Sequence, residues 1–490
     1  MKIYKKNIRV LLSIAVFTAI FSYLFINNIS VSHGNDLIWL LVFHPILFLL
    51  TVGLVVRDYF KFGYWFNLSN FVLLLIYLYF GIGSLYYVIF YNYLPHETLK
   101  YSDYAITTFW IVCLAVTSYR IGSILPVTNY ISMIFPIKRK TPVLSNRIRL
   151  GIIFSLLISL GTKLYLILVG NFGFMTSNDS GSFSSGLLTI INLIDLIGLT
   201  GIMVGFYYWF SKNGVRKLDK FIMIIAVILF LLFALMYGMK AKVLYVLLSI
   251  IIPSIFVERI QNRKTLSLKV YLMVLILFFS YWIVNPVVRL LMVESKTDDI
   301  AQAVFTTIDA IGSIDSLVRG DDDLLFTGVH TIWERVSLFR YLNSVVAQGG
   351  NSGNDFRNFD RYPFLLVTFL PRSLIPEKPI NNYSAQFNLD YISDVKNSTT
   401  PSMIGWAYME TGVFSVIILM FALGILHGSI DKYCIKHGNL SVFSMVVFTV
   451  FFIKIANIEP DPYWIFSGLF QELLLIILCY FILFARVKNR

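Results

Sequence analysis

Apolar runs of roughly 18 to 24 residues recur along this chain, separated by short polar turns, and runs of that length cross a hydrocarbon core as helices. The ten-residue alternation of a membrane β-barrel is absent. The pattern predicts twelve spans, at 8–29, 37–56, 68–90, 104–125, 148–170, 187–209, 221–238, 241–257, 269–293, 403–426, 440–457 and 463–484. The expected fold class is an all-α integral membrane protein. The first run follows Met1-Lys2-Ile3-Tyr4-Lys5-Lys6, but it is long for a signal peptide. It also lacks a small-x-small cleavage site, so it reads as a retained helix. The turn from Tyr237 to Lys242 is tight enough that its two flanking runs read either as two spans or as one broken helix.

One polar stretch, Glu294 to Ser402, interrupts this pattern and divides the chain into helices at 1–293, a large loop at 294–402 and helices at 403–490. Within it Val329, Ile332, Val336, Phe339 and Val346 fall at steps of three, four and seven, which predicts an amphipathic helix. Pro371, Pro376 and Pro379 exclude a regular helix where they stand. Tyr362 to Leu370 is apolar but too short to span, so it reads as re-entrant or interfacial.

Charge orients the chain. Charged residues make up 14% of it, against about 25% in soluble domains. The net charge of +13 suggests nucleic acid until its distribution is examined. The loop holds nine Lys/Arg and fourteen Asp/Glu, a net of −5, so the remainder carries +18. Most of that excess lies in short loops on one side, the positive-inside bias of a polytopic protein. It places both termini in the cytoplasm, the loop outside, and excludes nucleic acid as the partner. Three cysteines, Cys113, Cys434 and Cys479, form no disulfide or metal-ligand pattern. Walker A, HExxH and GxSxG patterns are absent too, so no cofactor or metal is expected. The Asp321-Asp322-Asp323 run beside Gly320 reads as a solvated turn.

Ionisable groups inside spans are the first candidates for chemistry, since a central one costs about 2.5–3.5 kcal/mol to insert. They are Lys163, Asp195, Arg289, Glu410, Lys454 and Glu472. Lys163 and Glu472 also read as partners within the bundle. Asp195 shares a helical face with Asn192 and Gly198, a face expected to turn inward for a hydrogen bond or a substrate. Arg289 lies near the outer end of its span, four residues after Asn285, at the mouth of the loop. Lys240 and Lys242 occupy an outer turn, where the charge bias disfavours cations.

Six loop arginines, Arg319, Arg335, Arg340, Arg357, Arg361 and Arg372, present planar forks suited to phosphate oxygens, though each has loop acids such as Glu334 or Glu377 to pair with. A cation-rich loop at a membrane surface calls for an anion, and a lipid-linked diphosphate is the most economical one there. The candidate diphosphate-binding set is Lys240, Lys242, Arg289, Arg335, Arg340, Arg372 and Lys378. Candidate general bases are His330, Glu334, Asp360 and Glu410, with Asp355 and Glu377 behind them.

The order of these residues resembles a family. Gly238-Met239-Lys240 comes first, then Arg289, Glu334-Arg335-Val336-Ser337, and the phrase Phe369-Leu370-Pro371-Arg372-Ser373-Leu374-Ile375-Pro376-Glu377-Lys378-Pro379. Gly405-Trp406-Ala407-Tyr408 and Gly412 follow. The chain resembles the bacterial oligosaccharide repeat-unit polymerases, the Wzy-type O-antigen and capsule polymerases. It departs from them in having Lys240 where the family often has Arg, and Trp406 where it often has an acid. The resemblance implies a GT-C-like membrane glycosyltransferase of the bacterial plasma membrane. Its substrate would be an undecaprenyl-diphosphate-linked oligosaccharide, and its partners a chain-length regulator and a flippase. An O-antigen ligase, or a flippase of lipid-linked sugars, are the competing readings.

Overall fold

The computed structural model describes residues 35–62, 66–89, 102–133, 145–168, 185–212, 215–236, 240–261, 337–351, 387, 391, 400–436 and 442–484. Among the described residues every regular element is a helix. In chain order, α1 (Asn35–Phe48) and α2 (Leu54–Phe62) are joined by a π turn at Leu49–Gly53. Pro45 inside α1 takes one N–H donor out of the ladder, and the helix widens one turn later. α3 (Leu68–Ile76), a second π turn and α4 (Gly83–Ile89) follow, then α5 (Ala105–Ile124) and the short α6 (Val127–Met133). Next come α7 (Asn146–Leu168), α8 (Ser185–Ser211), α9 (Lys217–Met236) and α10 (Lys240–Gln261). The remaining helices are α11 (Leu338–Asn351), α12 (Ser402–Thr411), α13 (Val413–Asp431), α14 (Val442–Ile455) and α15 (Pro462–Cys479).

Eight described helical stretches are long and apolar enough to cross a membrane, so the protein is a multi-pass α-helical membrane protein. They correspond to eight of the twelve predicted spans. The spans predicted at 8–29 and 269–293 lie outside the described residues, and those at 440–457 and 463–484 are represented by shorter apolar helices, Val442–Ile455 and Gln471–Phe484. One expectation is corrected. The span predicted at 403–426 is two helices, α12 and α13, and the crossing stretch is Val413–Cys434. The break is Gly412, whose φ of 67° and ψ of −144° suit a residue without a side chain. Residues 217–236 and 240–261 are two helices in contact, each holding a stretch long and apolar enough to cross, while residues 237–239 between them lie outside the described residues.

The described residues fall into two compact units. The first has the bounds Met1–Pro136, Trp333–His437 and Phe451–Phe470, the second Ile137–Ile332, Gly438–Val450 and Gln471–Arg490.

The first unit is organised on α5 and α13. Lipid tails are as apolar as leucine, so helices in a bilayer associate through close packing rather than exclusion from water. The pair uses Gly122, Gly424 and Gly428. A Cβ at Gly424 would meet the Tyr119 carbonyl oxygen at 2.1 Å, and one at Gly428 would meet the Ser123 carbonyl oxygen at 2.3 Å. Nearby, the Asp431 carboxylate accepts the Leu68 and Ser69 N–H groups at 2.7 and 2.9 Å. Those are orphan donors of the first turn of α3, and a negative charge is favoured there. Asn67 accepts the Asn70 N–H at 2.6 Å as the local cap.

Part of the predicted loop is built into this unit. α11 carries Leu338, Phe339, Leu342, Val345 and Val346 on a buried face. Its polar residues are tied in as well. The Thr108 hydroxyl donates to Asn343 Oδ1 at 2.7 Å, and the Ser337 hydroxyl donates to the Gly83 carbonyl at 2.8 Å. Phe339 and Val346 thus lie on a packed face, as the periodicity predicts, while the earlier positions of that stripe lie outside the described residues.

α12 packs against α11 and α13 and is buried from Ser402 to Glu410. Its start is held by the irregular stretch between α14 and α15. The Met403 N–H donates to the Ile458 carbonyl at 2.9 Å, and the Thr400 hydroxyl donates to the Glu459 carbonyl at 2.9 Å. Non-helical backbone among membrane helices persists where protein groups satisfy it, and these bonds do so.

In the second unit α8 packs against α7, α9 and α10. Gly198 is the contact that matters for chemistry. A Cβ there would meet Ser159 Cβ at 2.5 Å and the Phe230 ring at 2.6 Å, so only glycine lets α7 and α9 come this close to α8.

Candidate functional site

The close approach at Gly198 brings three charged side chains together one turn away. Lys163 from α7 and Lys242 from α10 share the carboxylate of Asp195 on α8. Lys163 Nζ is paired with Oδ1, and Lys242 Nζ lies 3.1 Å from Oδ2. Each carboxylate oxygen thus serves one ammonium. The Ser159 hydroxyl, one helical turn before Lys163, donates to Oδ1 at 3.4 Å. Lys163 Nζ also lies over the Phe230 ring, 4.7 Å from its centroid, a cation–π contact that fixes the ammonium from a second side.

The position is unusual for charge. Lys163 lies five residues before the end of α7 and Asp195 ten residues into α8, roughly 15 Å along the helix at its usual rise. Lys242 is at the beginning of α10. The trio therefore gathers at one end of the unit but below the helix ends. Side-chain exposure is 9% for Lys163, 17% for Asp195 and 20% for Lys242, so the group is largely withdrawn yet reachable from the Lys242 side. Beside it is a small crevice lined by Ser159, Thr162, Leu166 and Ile191 together with the three charges. The three side chains together carry a charge of +1, with two ammoniums to one carboxylate. Ionisable groups within membrane helices are costly, pair with one another, and mark binding or conduction sites.

The structure sorts the predicted residues. Lys242 is brought together with Lys163 and Asp195, and it pairs with the Asp195 carboxylate. Asp195 faces inward with Gly198, as its spacing suggests, and Lys163 pairs within the bundle, the alternative open to a charge inside a span. Lys240 is the first residue of α10; its side chain lies outside the described residues. Arg340 belongs to the first unit, on α11, where its guanidinium lies 4.4 Å from the Tyr341 ring centroid and donates to the Tyr341 hydroxyl. Glu410, also in the first unit, is fully buried on α12. His330, Glu334, Asp355, Asp360 and Glu377 lie outside the described residues, as do Arg289, Arg335, Arg372 and Lys378.

Two polar arrangements escaped the sequence reading. Asp58, buried, is held by Arg57 at 3.0 Å and Arg120 at 2.7 Å. His427 Nδ1 meets the Tyr119 hydroxyl at 2.8 Å in the α5–α13 contact. A signal existed for the second, because His427 stands inside Gly424-Ile425-Leu426-His427-Gly428, a small-xxx-small pattern of close helix packing.

No family model, no curated protein and no solved structure matches the chain.

Proposed function

We propose that this protein is a membrane glycosyltransferase that lengthens a surface polysaccharide at the outer face of a bacterial plasma membrane. The growing glycan leaves a polyprenyl diphosphate and is joined to a hydroxyl of a fresh lipid-linked repeat unit. The acceptor oxygen forms a bond to the anomeric carbon, the bond from that carbon to the diphosphate breaks, and the acceptor proton passes to a base. Negative charge grows on the leaving diphosphate, so preorganised cations are the device the reaction needs.

The observation that carries this reading is the Lys163–Asp195–Lys242 trio, two ammoniums around one carboxylate at one end of a helical unit. In the orientation we propose from the positive-inside bias, with both termini cytoplasmic, that end lies at the outer surface. Lys240 and Arg289 belong to the same unit as the trio and are proposed as further phosphate ligands; Arg335, Arg340, Arg372 and Lys378 are proposed as phosphate ligands on their sequence pattern alone. The resemblance of the Pro371–Pro379 phrase to the Wzy-type polymerases supports the same substrate class and a GT-C-like architecture. His330, Glu334, Asp360 and Glu410 are the proposed proton acceptors.

A second reading keeps its place because of the same trio. Charges contributed by three membrane helices also suit a carrier that moves lipid-linked sugars across the bilayer. The test is polymer length on gels from cells carrying Ala variants of Arg289, Arg335, Arg340 and Arg372, with protein levels checked in membranes. Loss of long polymer at normal protein level supports the polymerase. Full-length polymer from all four removes these arginines from the proposed diphosphate-binding set.

A further inference from the structure

We infer that Asp195 is an exchangeable counter-anion, which holds Lys163 and Lys242 together until a phosphate oxygen of a membrane-borne phosphate or diphosphate ester takes its place. The inference rests on reading this site as one for phosphate, and it adds how the site is kept ready when empty.

Four observations support exchange. Asp195 bridges the lysines with one oxygen each, the arrangement a phosphate makes between two cations. The ring of Phe230 contacts Lys163 independently of Asp195, so this ammonium keeps its place when the carboxylate turns away. The Ser159 hydroxyl that donates to Oδ1 is positioned to donate to a replacing oxygen. The trio is not sealed, since Lys242 and Asp195 keep 20% and 17% of their side-chain surface, and the crevice adjoins them.

The charge count sets the direction. With Asp195 in place these three groups sum to +1. A diphosphate carries more charge than a carboxylate and offers several oxygens, so it outcompetes Asp195 when it is close. Between arrivals the carboxylate keeps two ammoniums from facing each other across a low-dielectric gap, where like charges repel strongly. Asp195 is thus a competitor of the ligand as well as a partner of the lysines.

The test measures binding, not polymer, on the full-length protein. One arm titrates inorganic pyrophosphate into detergent-solubilised protein; the other places the protein in nanodiscs containing a polyprenyl phosphate. Exchange predicts that Asp195→Asn binds at least tenfold more tightly than wild type, and that Lys242→Gln binds at least tenfold more weakly. Binding in the nanodisc arm alone assigns the ligand to a lipid headgroup; binding in both arms assigns a general phosphate site. Weaker binding by Asp195→Asn, or equal binding by all variants, overturns the inference. Should Asp195→Asn fail to reach the membrane, the pair Lys163→Met and Lys163→Met/Asp195→Asn makes the same comparison, because it leaves one lysine with no ammonium opposite. There the double variant must bind more tightly than the single one. If the binding pattern holds while no polymer is made, the exchange stands and the polymerase reading falls.

Discussion

The hydroxyl of Tyr119 on α5 lies 2.8 Å from Nδ1 of His427 on α13, within a contact where glycines bring the two backbones against each other. Both residues are buried, and the bond is made possible by Gly424, one turn before His427, and Gly428 beside it. Replacing Gly424 by Ala puts a Cβ 2.1 Å from the Tyr119 carbonyl oxygen, so the helices must part. The expected cost is about 1–3 kcal/mol, as for other overpacked contacts. Thermal unfolding of the detergent-solubilised variant checks it; an unchanged midpoint would show that α5 and α13 are not in backbone contact.

Asp431 predicts a different loss. Its carboxylate caps α3 from 363 residues away in sequence, through the Leu68 N–H. Asp431→Ala removes that acceptor and its favourable charge at a helix start, which costs about 0.5–2 kcal/mol by analogy with other caps. Asp431→Asn keeps an acceptor oxygen, so the midpoint for Asn should lie between those of Ala and wild type. Equal midpoints for all three proteins would argue that water replaces the cap.

Phe339 tests the docking of α11. Its side chain is fully buried, and Phe339→Asp places a charge on that packed apolar face. Fluorescence-detected size-exclusion chromatography should show a reduced folded peak. A wild-type profile would mean that α11 does not pack as described.

Orientation is tested with Asp103→Cys and Lys212→Cys, both at exposed positions near helix ends. In the proposed orientation an impermeant thiol reagent added to intact cells labels the first and not the second. Labelling of the Lys212 position would invert the assignment.

Much of the architecture was legible because span length is a coarse physical constraint that does not depend on partners. Seven predicted spans coincide with apolar helices for this reason, and an eighth overlaps one. The division of 403–426 was not legible, because hydropathy runs on through Gly412 while the backbone turns there. At the site, spacing gave Asp195 an inward face and marked Lys163 and Lys242 singly. Their meeting was not legible, since three helices converge on one carboxylate and no local pattern encodes a crossing. Asp58 with Arg120 was missed for the same reason, 62 residues apart in sequence. His330, Glu334, Asp360, Arg289, Arg335, Arg372 and Lys378 remain sequence readings, outside the described residues.

The central claim is tested most directly by reconstituting the purified protein in liposomes with two differently labelled lipid-linked repeat units. The products are separated by length, and free carrier diphosphate is counted. The account predicts chains carrying both labels and one diphosphate released per bond formed. In Lys242→Ala the rate should fall by about a hundred- to a thousand-fold, the loss typical of one electrostatic donor to a developing oxyanion. Relocation of labelled lipid across the bilayer with no new glycosidic bond, or lengthening that is unaffected in Lys242→Ala, would contradict it.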